Sequence, residues 1–273
     1  MTDPDLRYPD VSRFSAVDEA LRPQQLIEVL DVAKQLPGFP AAKAQLLDGL
    51  EPERACSAID VGCGYGADVI ELAVRLRPGG CAVGIDLSEA MITEARRRTA
   101  QIGADVSFRV ADALALPFED NTFDIARTET VLQHLADPAR AVSEMARVTR
   151  RGGRVGALEL DQETMFIDHP DIELLDMLRQ SVSDAMTQSA IGRQVPRLLV
   201  EAGLTDVQTA PRVITGDPRA FRLQLAHHVS ALCDRGAITA ERATQSWSTI
   251  DAAAAAGHFT GGITAFVVWG AVK

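Results

Sequence analysis

Residues 59–66 read IDVGCGYG, and this octapeptide is the strongest indication of architecture in the chain. An apolar strand leads into three glycines, Gly62, Gly64 and Gly66, and a helix is predicted to follow from about residue 67. Glycine has no Cβ, so the backbone here can turn sharply and approach a ligand closely. The first N–H groups of the following helix have no partners within the helix. The segment therefore predicts a ligand-binding loop between a strand and a helix.

The charge beside this loop indicates what kind of ligand it takes. The spacing Gly62-x-Gly64-x-x-Ala67 also occurs in dinucleotide-binding turns, and Asp86 follows about 20 residues later, where a ribose-binding acid is expected. Asp60 adds a negative charge two residues before the first glycine. That charge is unfavourable next to a pyrophosphate and favourable next to a cation. S-adenosylmethionine carries a sulfonium and an ammonium group, so it suits the loop better than a nicotinamide dinucleotide.

Strand-like and helix-like segments alternate over most of the chain. This alternation predicts a mostly parallel sheet that is covered by helices on both faces. The predicted strands cover residues 58–61, 81–86, 106–110, 123–127, 155–160, 207–213 and 263–272. The predicted helices cover about residues 21–32, 41–50, 67–76, 88–102, 138–148, 172–186, 196–202, 218–234 and 240–256.

Five motifs in this order resemble those of the class I S-adenosylmethionine-dependent methyltransferases. The first is DVGCGYG at residues 60–66, and the second is GIDLS at residues 84–88, followed by Met91. The third is Asp112-Ala113, the fourth strand begins at Phe123-Asp124, and residues 138–153 resemble the segment that leads to the fifth strand. The resemblance covers about residues 56–160 and is closest to the branch that acts on small molecules such as quinones, sterols and natural products.

The resemblance implies an α/β fold: a Rossmann-like, doubly wound, seven-stranded sheet with a final antiparallel strand, N-terminal helices and a helical insertion. It implies S-adenosylmethionine as the cofactor. Asp86 would accept hydrogen bonds from the ribose hydroxyls, Leu87 and Met91 would pack against the adenine, and Asp112 would meet its amino group. The full set of cofactor-binding residues expected from the resemblance is Asp60, Gly62, Cys63, Gly64, Gly66, Asp86, Leu87, Met91, Asp112, Ala113 and Thr128.

Two residues near the ends of the fourth and fifth strands are candidates for the chemistry. Ligands of an open parallel sheet lie beyond the carboxyl ends of its strands. His134 matches half of a His-His pair common in similar small-molecule methyltransferases, and in some O-methyltransferases a histidine here is the general base. Shaping the pocket is the alternative role. Glu159, at the end of the fifth strand, would orient His134 or hold the acceptor, and a surface role is the alternative.

The predicted division places an N-terminal helical cap at residues 1–53, the cofactor-binding core at 54–160, and substrate-side helices with the last two strands at 161–273. The parts outside the core are expected to choose the acceptor. Their apolar and aromatic residues would form a lid or cavity, and His169, His227 and His228 would line it. The apolar and aromatic residues in question are Tyr8, Phe14, Met165, Phe166, Met177, Met186, Phe221 and Trp247.

Composition argues against several classes of partner. The 273 residues carry a net charge of −11, which argues against a nucleic-acid partner. No apolar run reaches the roughly 20 residues that span a bilayer, and the first residues do not resemble a signal peptide, so a cytoplasmic protein with no membrane partner is expected. The four cysteines lack metal-ligand spacing, so no metal site is predicted. Homo-oligomerisation is compatible with these observations.

The sequence therefore predicts methyl transfer from S-adenosylmethionine to an oxygen or carbon of a small, largely apolar acceptor in secondary metabolism. Two alternatives stay open. A protein that binds the cofactor while catalysing a cyclisation or rearrangement would carry the same motifs. A nicotinamide-dependent oxidoreductase is disfavoured by Asp60 and by the lack of a Tyr-x-x-x-Lys pair.

Overall fold

The computed structural model describes residues 18, 31, 35–103 and 105–273. Within them seven strands form one sheet in the order β3-β2-β1-β4-β5-β7-β6. Strand β7 is antiparallel to both of its neighbours, β5 and β6, and the pairs among β1 to β5 are parallel. This confirms the predicted fold. The strands are β1 (Ser57–Val61), β2 (Cys81–Asp86), β3 (Val106–Val110), β4 (Phe123–Glu129), β5 (Thr149–Ile167), β6 (Thr205–Thr215) and β7 (Gly261–Ala271).

Helices cover both faces of the sheet because each face presents its own apolar cluster. The first face packs on α1 (Phe39–Leu50), α2 (Ala67–Arg75) and α3 (Glu89–Thr99). The second packs on α4 (Pro138–Val148) and α6 (Ile191–Glu201). A third apolar cluster joins α5 (Ile172–Ala185), α7 (Pro218–Asp234) and α8 (Ala240–Ala255), which form the helical insertion.

Side-chain caps fix where several helices begin. The Ser88 hydroxyl accepts a hydrogen bond from the Met91 N–H at 3.1 Å, so α3 starts directly after β2. The Asp137 carboxylate accepts one from the Arg140 N–H at 2.9 Å, with Pro138 in the first helical position of α4. Both caps satisfy N–H groups that have no partner inside the helix. The caps thereby fix the residues at which α3 and α4 begin, close to the carboxyl ends of the strands.

The largest differences between the predicted and the observed elements are in α6 and β5. Helix α6 begins at Ile191 rather than at residue 196, and Pro196 lies inside it. Burial of Ile191, Val195 and Leu199 on one helical face outweighs the hydrogen bond that proline cannot make. Strand β5 runs past residue 160 to Ile167, because β7 continues beside it after a register shift. The predicted boundary at residue 160 therefore falls inside a strand, and the division of the chain stays a prediction.

The predicted helix at about residues 21–32 lies outside the described residues, apart from Asp31. Among the residues that are described, no helix is both long and apolar enough to cross a membrane.

Candidate functional site

The glycine loop between β1 and α2 has a backbone that only glycine adopts easily. Gly62, Gly64 and Gly66 have φ values of +77°, +51° and +83°. A Cβ added to Gly62 would lie 2.2 Å from the Cγ2 of Val131, so this position is also closed to a side chain by contact. The N–H groups of Gly62 and Cys63 both donate to the Ile85 carbonyl at 2.8 Å, which fixes the loop against the end of β2.

Asp86, the last residue of β2, is hydrogen-bonded to this loop. Its Oδ2 accepts from the Gly64 N–H and its Oδ1 from the Ser88 N–H, both at 2.9 Å. Burial raises the pKa of Asp86, although these two hydrogen bonds favour its charged form. The structure therefore brings the first two predicted motifs together at the carboxyl edge of the sheet.

Apolar surface lies next to Asp86. Leu87 is 62% exposed and Val110 is 42% exposed, and the β2–β3 register pairs Asp86 with Val110. Asp112 follows β3, is exposed, and accepts a hydrogen bond from the Leu114 N–H at 2.8 Å. The side chains of Met91 and Ala113 are buried. The side chains of Leu87 and Asp112 are thus accessible to a ligand at this edge, while those of Met91 and Ala113 are buried in the protein behind it.

Asp18, which the sequence analysis did not single out, also reaches this edge. Its Oδ1 accepts from the Ser88 hydroxyl at 2.5 Å and its Oδ2 from the Glu89 N–H at 2.9 Å, at the start of α3. The hydrogen bond from Ser88 is the largest influence on its carboxyl group and lowers the pKa of Asp18. No local pattern in the sequence connects residue 18 with residue 88.

The side chains of Cys63 and Thr128 are directed into the protein. A Cβ on Gly84 would lie 2.8 Å from the Cys63 Sγ, which places this thiol between the loop and β2. The Thr128 hydroxyl donates to the Val61 carbonyl at 2.9 Å and is fully buried. Any contribution of these two residues to ligand binding therefore depends on their backbone or on the shape they give to the loop.

Five charged side chains, Lys43, Asp60, Asp68, Arg127 and Glu129, form what we call the buried charge cluster. Arg127 Nε lies 3.2 Å from Asp60 Oδ1, and Arg127 Nη2 donates to Glu129 Oε2 at 2.7 Å. Lys43 Nζ lies 2.5 Å from Asp68 Oδ1 and 2.9 Å from Glu129 Oε1. Burial opposes the charge of Arg127, but Asp60 and Glu129 outweigh it and raise its pKa. The charge predicted at Asp60 is thus part of a larger network.

Sequence reasoning identified only Asp60 among these five residues. A usable signal was present in β4, where Arg127 and Glu129 are charged residues at a spacing of two in a mostly buried strand. Residues two apart in a strand lie on the same face of the sheet. Lys43 and Asp68 come from helices α1 and α2, so their participation depends on tertiary packing.

Glu159 holds the segment that follows β4. Its Oε1 accepts hydrogen bonds from the N–H groups of Val131 and Leu132, both at 2.9 Å. The side chain is fully buried, and its Oε2 has no hydrogen-bond partner among the described residues. Burial raises the pKa of Glu159 to about 8. These contacts give Glu159 a positioning function for the short 3₁₀ turn Leu132–His134.

His134 ends this turn and is half-buried. Burial lowers the pKa of His134 to about 4, so the imidazole is neutral at pH 7. Its neighbour Gln133 is buried and bridges two elements: the Gln133 Nε2 donates to the Thr130 carbonyl at 3.2 Å, and its Oε1 accepts from the Gln162 Nε2 at 3.1 Å. Glu159 and Gln133 therefore tie the turn that His134 ends to β5.

The remaining histidine candidates lie in the helical insertion. The Asp171 N–H donates to His169 Nδ1 at 3.0 Å, so the ring proton is on Nε2 and donates to the Ser246 hydroxyl at 3.3 Å. In this tautomer His169 cannot deprotonate Ser246. His228 Nδ1 lies 3.0 Å from the Ser181 hydroxyl in the buried interior of the insertion, whereas His227 is exposed.

The apolar residues expected to shape an acceptor cavity are divided by the structure. Phe166 is 40% exposed, while Met165 and Phe221 are buried in the apolar cluster of the insertion, with Met177 and Trp247 packed against it. Met186 is half-buried, and Tyr8 and Phe14 lie outside the described residues. Over residues 35–103 and 105–273, with Asp18 and Asp31, no group of three or more His, Cys, Asp and Glu side chains is arranged to hold a metal ion.

Comparison with known proteins links this geometry to one kind of domain. Residues 52–203 match the model of a methyltransferase domain family. A 37.1 kDa protein of transposon TN4556 from Streptomyces fradiae is 37% identical over 239 residues, which cover 83% of this chain and 65% of that protein. The chain thus spans less than two thirds of that relative's length.

A second relative and a solved structure extend the comparison. The demethylmenaquinone methyltransferase of Halalkalibacterium halodurans is 30% identical over 207 residues, which cover 69% of this chain and 84% of the relative. The crystal structure of the [4+2]-cyclase SpnF superimposes with a TM-score of 0.55 at 20% identity, covering 86% of this chain and 82% of the cyclase. At that identity the likeness shows the shared fold.

Proposed function

This chain belongs to the class I S-adenosylmethionine-dependent methyltransferases, and from that premise we propose that it transfers a methyl group from S-adenosylmethionine to an oxygen or carbon of a small, largely apolar acceptor. The observation that carries the proposal is the hydrogen bond from the Gly64 N–H to Asp86. It places an acid and a glycine loop side by side at the edge where open α/β sheets bind their ligands.

The residues at this edge fit the adenosine part of the cofactor. An ionised carboxylate offers about four lone-pair positions, and the hydrogen bonds from the Gly64 and Ser88 N–H groups do not use all of them, so Asp86 can still accept from the ribose hydroxyls. Leu87 and Val110 provide exposed apolar surface for the adenine, and Asp112 supplies a carboxylate for its amino group. In the proposal Gly62, Gly64 and Gly66 let the backbone of the loop approach the cofactor closely. Cys63 and Thr128 support the loop from the interior.

The acceptor is proposed to lie beyond β4 and β5, next to His134. A neutral His134 can accept a hydrogen bond from an acceptor hydroxyl, but burial opposes full protonation of the ring. We assign His134 the role of orienting the acceptor and, for a hydroxyl acceptor, of taking its proton in step with methyl transfer. A weak base suffices at that point, because the acceptor oxygen becomes strongly acidic as it receives the methyl group. Glu159 acts through the backbone of the turn that carries His134 and is a positioning residue in this scheme.

The resemblance to small-molecule methyltransferases supports a cytoplasmic reaction on a natural-product acceptor. The fold also occurs in the [4+2]-cyclase SpnF, so cofactor binding and methyl transfer need separate tests. Family membership gives no support to a nicotinamide-dependent oxidoreductase.

The decisive experiment incubates the purified chain with methyl-labelled S-adenosylmethionine and a panel of phenols, quinols and other apolar acceptors. The expected result is a labelled product together with S-adenosylhomocysteine. Cofactor binding by calorimetry without transfer to any acceptor would favour a cyclisation or rearrangement, and no cofactor binding at all would remove the proposal.

A further inference from the structure

Three residues of the buried charge cluster, Asp60, Asp68 and Glu129, flank the glycine loop in the chain or in the sheet. Asp60 lies two residues before Gly62, and Asp68 lies in the first turn of α2, which follows the loop. The β1–β4 register pairs Val61 with Thr128, so Glu129 is level with Gly62 on the neighbouring strand. Carboxylates therefore stand before, beside and after the loop that the proposed function assigns to the cofactor.

Glu129 joins the Asp60–Arg127 ion pair to the Asp68–Lys43 ion pair within the cluster. Its Oε2 accepts from Arg127 and its Oε1 lies 2.9 Å from the Lys43 ammonium. The side chains of Glu129 and Lys43 are 8% and 9% exposed, so water screens their charges only weakly. Charges in such surroundings act over several ångströms on another charge, in a direction set only by their signs.

The donor and the product of methyl transfer differ in charge at one atom. S-adenosylmethionine has a positively charged sulfonium, and S-adenosylhomocysteine has a neutral thioether at the same place. The adenosine and amino-acid parts of the two molecules are identical, so contacts with those parts cancel when their affinities are compared. The contribution of the methyl group itself is the same in variants that leave the pocket around it unchanged. A change in the ratio of the two dissociation constants between such variants therefore reports a change in the electrostatic potential at the sulfur.

We propose that the buried charge cluster tunes the ratio of the site's affinities for the sulfonium donor and the thioether product, with Glu129 shifting that ratio towards the donor and Lys43 shifting it towards the product. This inference rests on the proposed function. It assigns specificity to residues that need not touch the ligand. It also gives the site a means of releasing its product, because the attraction between the carboxylates and the sulfonium disappears when the methyl group leaves.

The test measures both dissociation constants by calorimetry at pH 8 for the wild type, Glu129→Gln and Lys43→Gln. Each substitution removes one charge and puts a hydrogen-bonding amide in place of the charged group. Glu129→Gln is expected to weaken donor binding relative to product binding by roughly tenfold, and Lys43→Gln to change the ratio in the opposite direction. Glu201→Gln is the matched control, because it removes an exposed carboxylate paired with Arg197 on α6 and should leave the ratio unchanged.

Loss of affinity for both ligands by the same factor, or a change of the ratio in the same direction in both variants, would overturn the inference and leave the cluster a structural role. If Glu129→Gln does not fold, as judged by thermal unfolding, the direction of the Lys43→Gln change decides alone. If the wild type binds neither ligand, the proposed function itself fails, which is a different outcome.

Discussion

Glu159 accepts a hydrogen bond from the Leu132 N–H at 2.9 Å across a separation of 27 residues. The same oxygen accepts from Val131, so one buried carboxyl group fixes two consecutive backbone N–H groups of the turn that presents His134. Burial of this group costs stability whenever it is ionised, and that cost has a measurable dependence on pH.

Glu159→Gln is expected to stabilise the protein increasingly between pH 5 and 8. The pKa of Glu159 is raised from 4.5 to about 8, so in this range the folded state holds a proton that the unfolded state has lost. The wild type therefore loses stability as pH rises through this window, by about 4 kcal/mol at most, and the variant does not. Denaturant unfolding of both proteins at several pH values measures the difference. Parallel stability curves would contradict the raised pKa.

Asp86→Ala is expected to weaken binding of S-adenosylmethionine at least roughly tenfold. Hydrogen bonds to a charged group contribute about 1.5–3 kcal/mol each, and the proposed ribose contacts would be lost together. Calorimetric titration measures the affinity. Asp105→Ala is a matched control, because it removes an exposed carboxylate just before β3, at the opposite edge of the sheet. Equal affinities in the Asp86 variant and the wild type would be inconsistent with the assigned contact.

His134→Gln is expected to lower kcat with a hydroxyl acceptor at least roughly tenfold, while the affinity for the cofactor stays within about twofold. Glutamine can still hydrogen-bond the acceptor but cannot take its proton. Because the pKa of His134 is lowered to about 4, the kcat of the wild type should fall with decreasing pH only below about pH 5. An inflection near 6.5 that disappears in the variant would show that the histidine is more solvated than the structure indicates.

Gly62→Ala is expected to destabilise the protein by about 2–4 kcal/mol, from the left-handed backbone and from the contact with Val131. Gly152→Ala isolates the first effect. Gly152 has a φ of +76° but no atom within 4 Å of an added Cβ, so about 1 kcal/mol is expected there. Chemical denaturation measures the free energy of unfolding of both variants. Equal losses would mean that the Val131 side chain can move away from the added methyl group without destabilising the protein.

Elements whose signals are local could be predicted closely from the sequence. The bounds of β2, β3, α4 and α7 agree with the predicted ones, because short apolar runs mark the two strands and apolar periodicity marks the two helices. In the structure Asp137 and Asp217 cap these helices at the residues where the apolar pattern begins. The proximity of Asp86 to the glycine loop follows from two adjacent parallel strands whose carboxyl ends meet at one edge. These features need no knowledge of distant contacts.

Other features depend on partners that are far away in the chain. Whether Pro196 starts or interrupts a helix is decided by the sheet that α6 covers, and the length of β5 is decided by β7, about 100 residues later. The position of Lys43 between Asp68 and Glu129 requires α1 to be placed on the sheet first. Apolar periodicity carries no information on which charges such packing will bring together.

The antiparallel insertion of β7 has a consequence for the order of assembly. Strand β6 is paired with no described strand except β7, which follows it in the chain after two helices. The half of the sheet that holds β1 to β4 can join through short crossovers as it leaves the ribosome, whereas β6 stays without a neighbour until β7 has been synthesised. Completion of the sheet is thereby deferred to a long-range pairing step, which is the kind that makes folding slow.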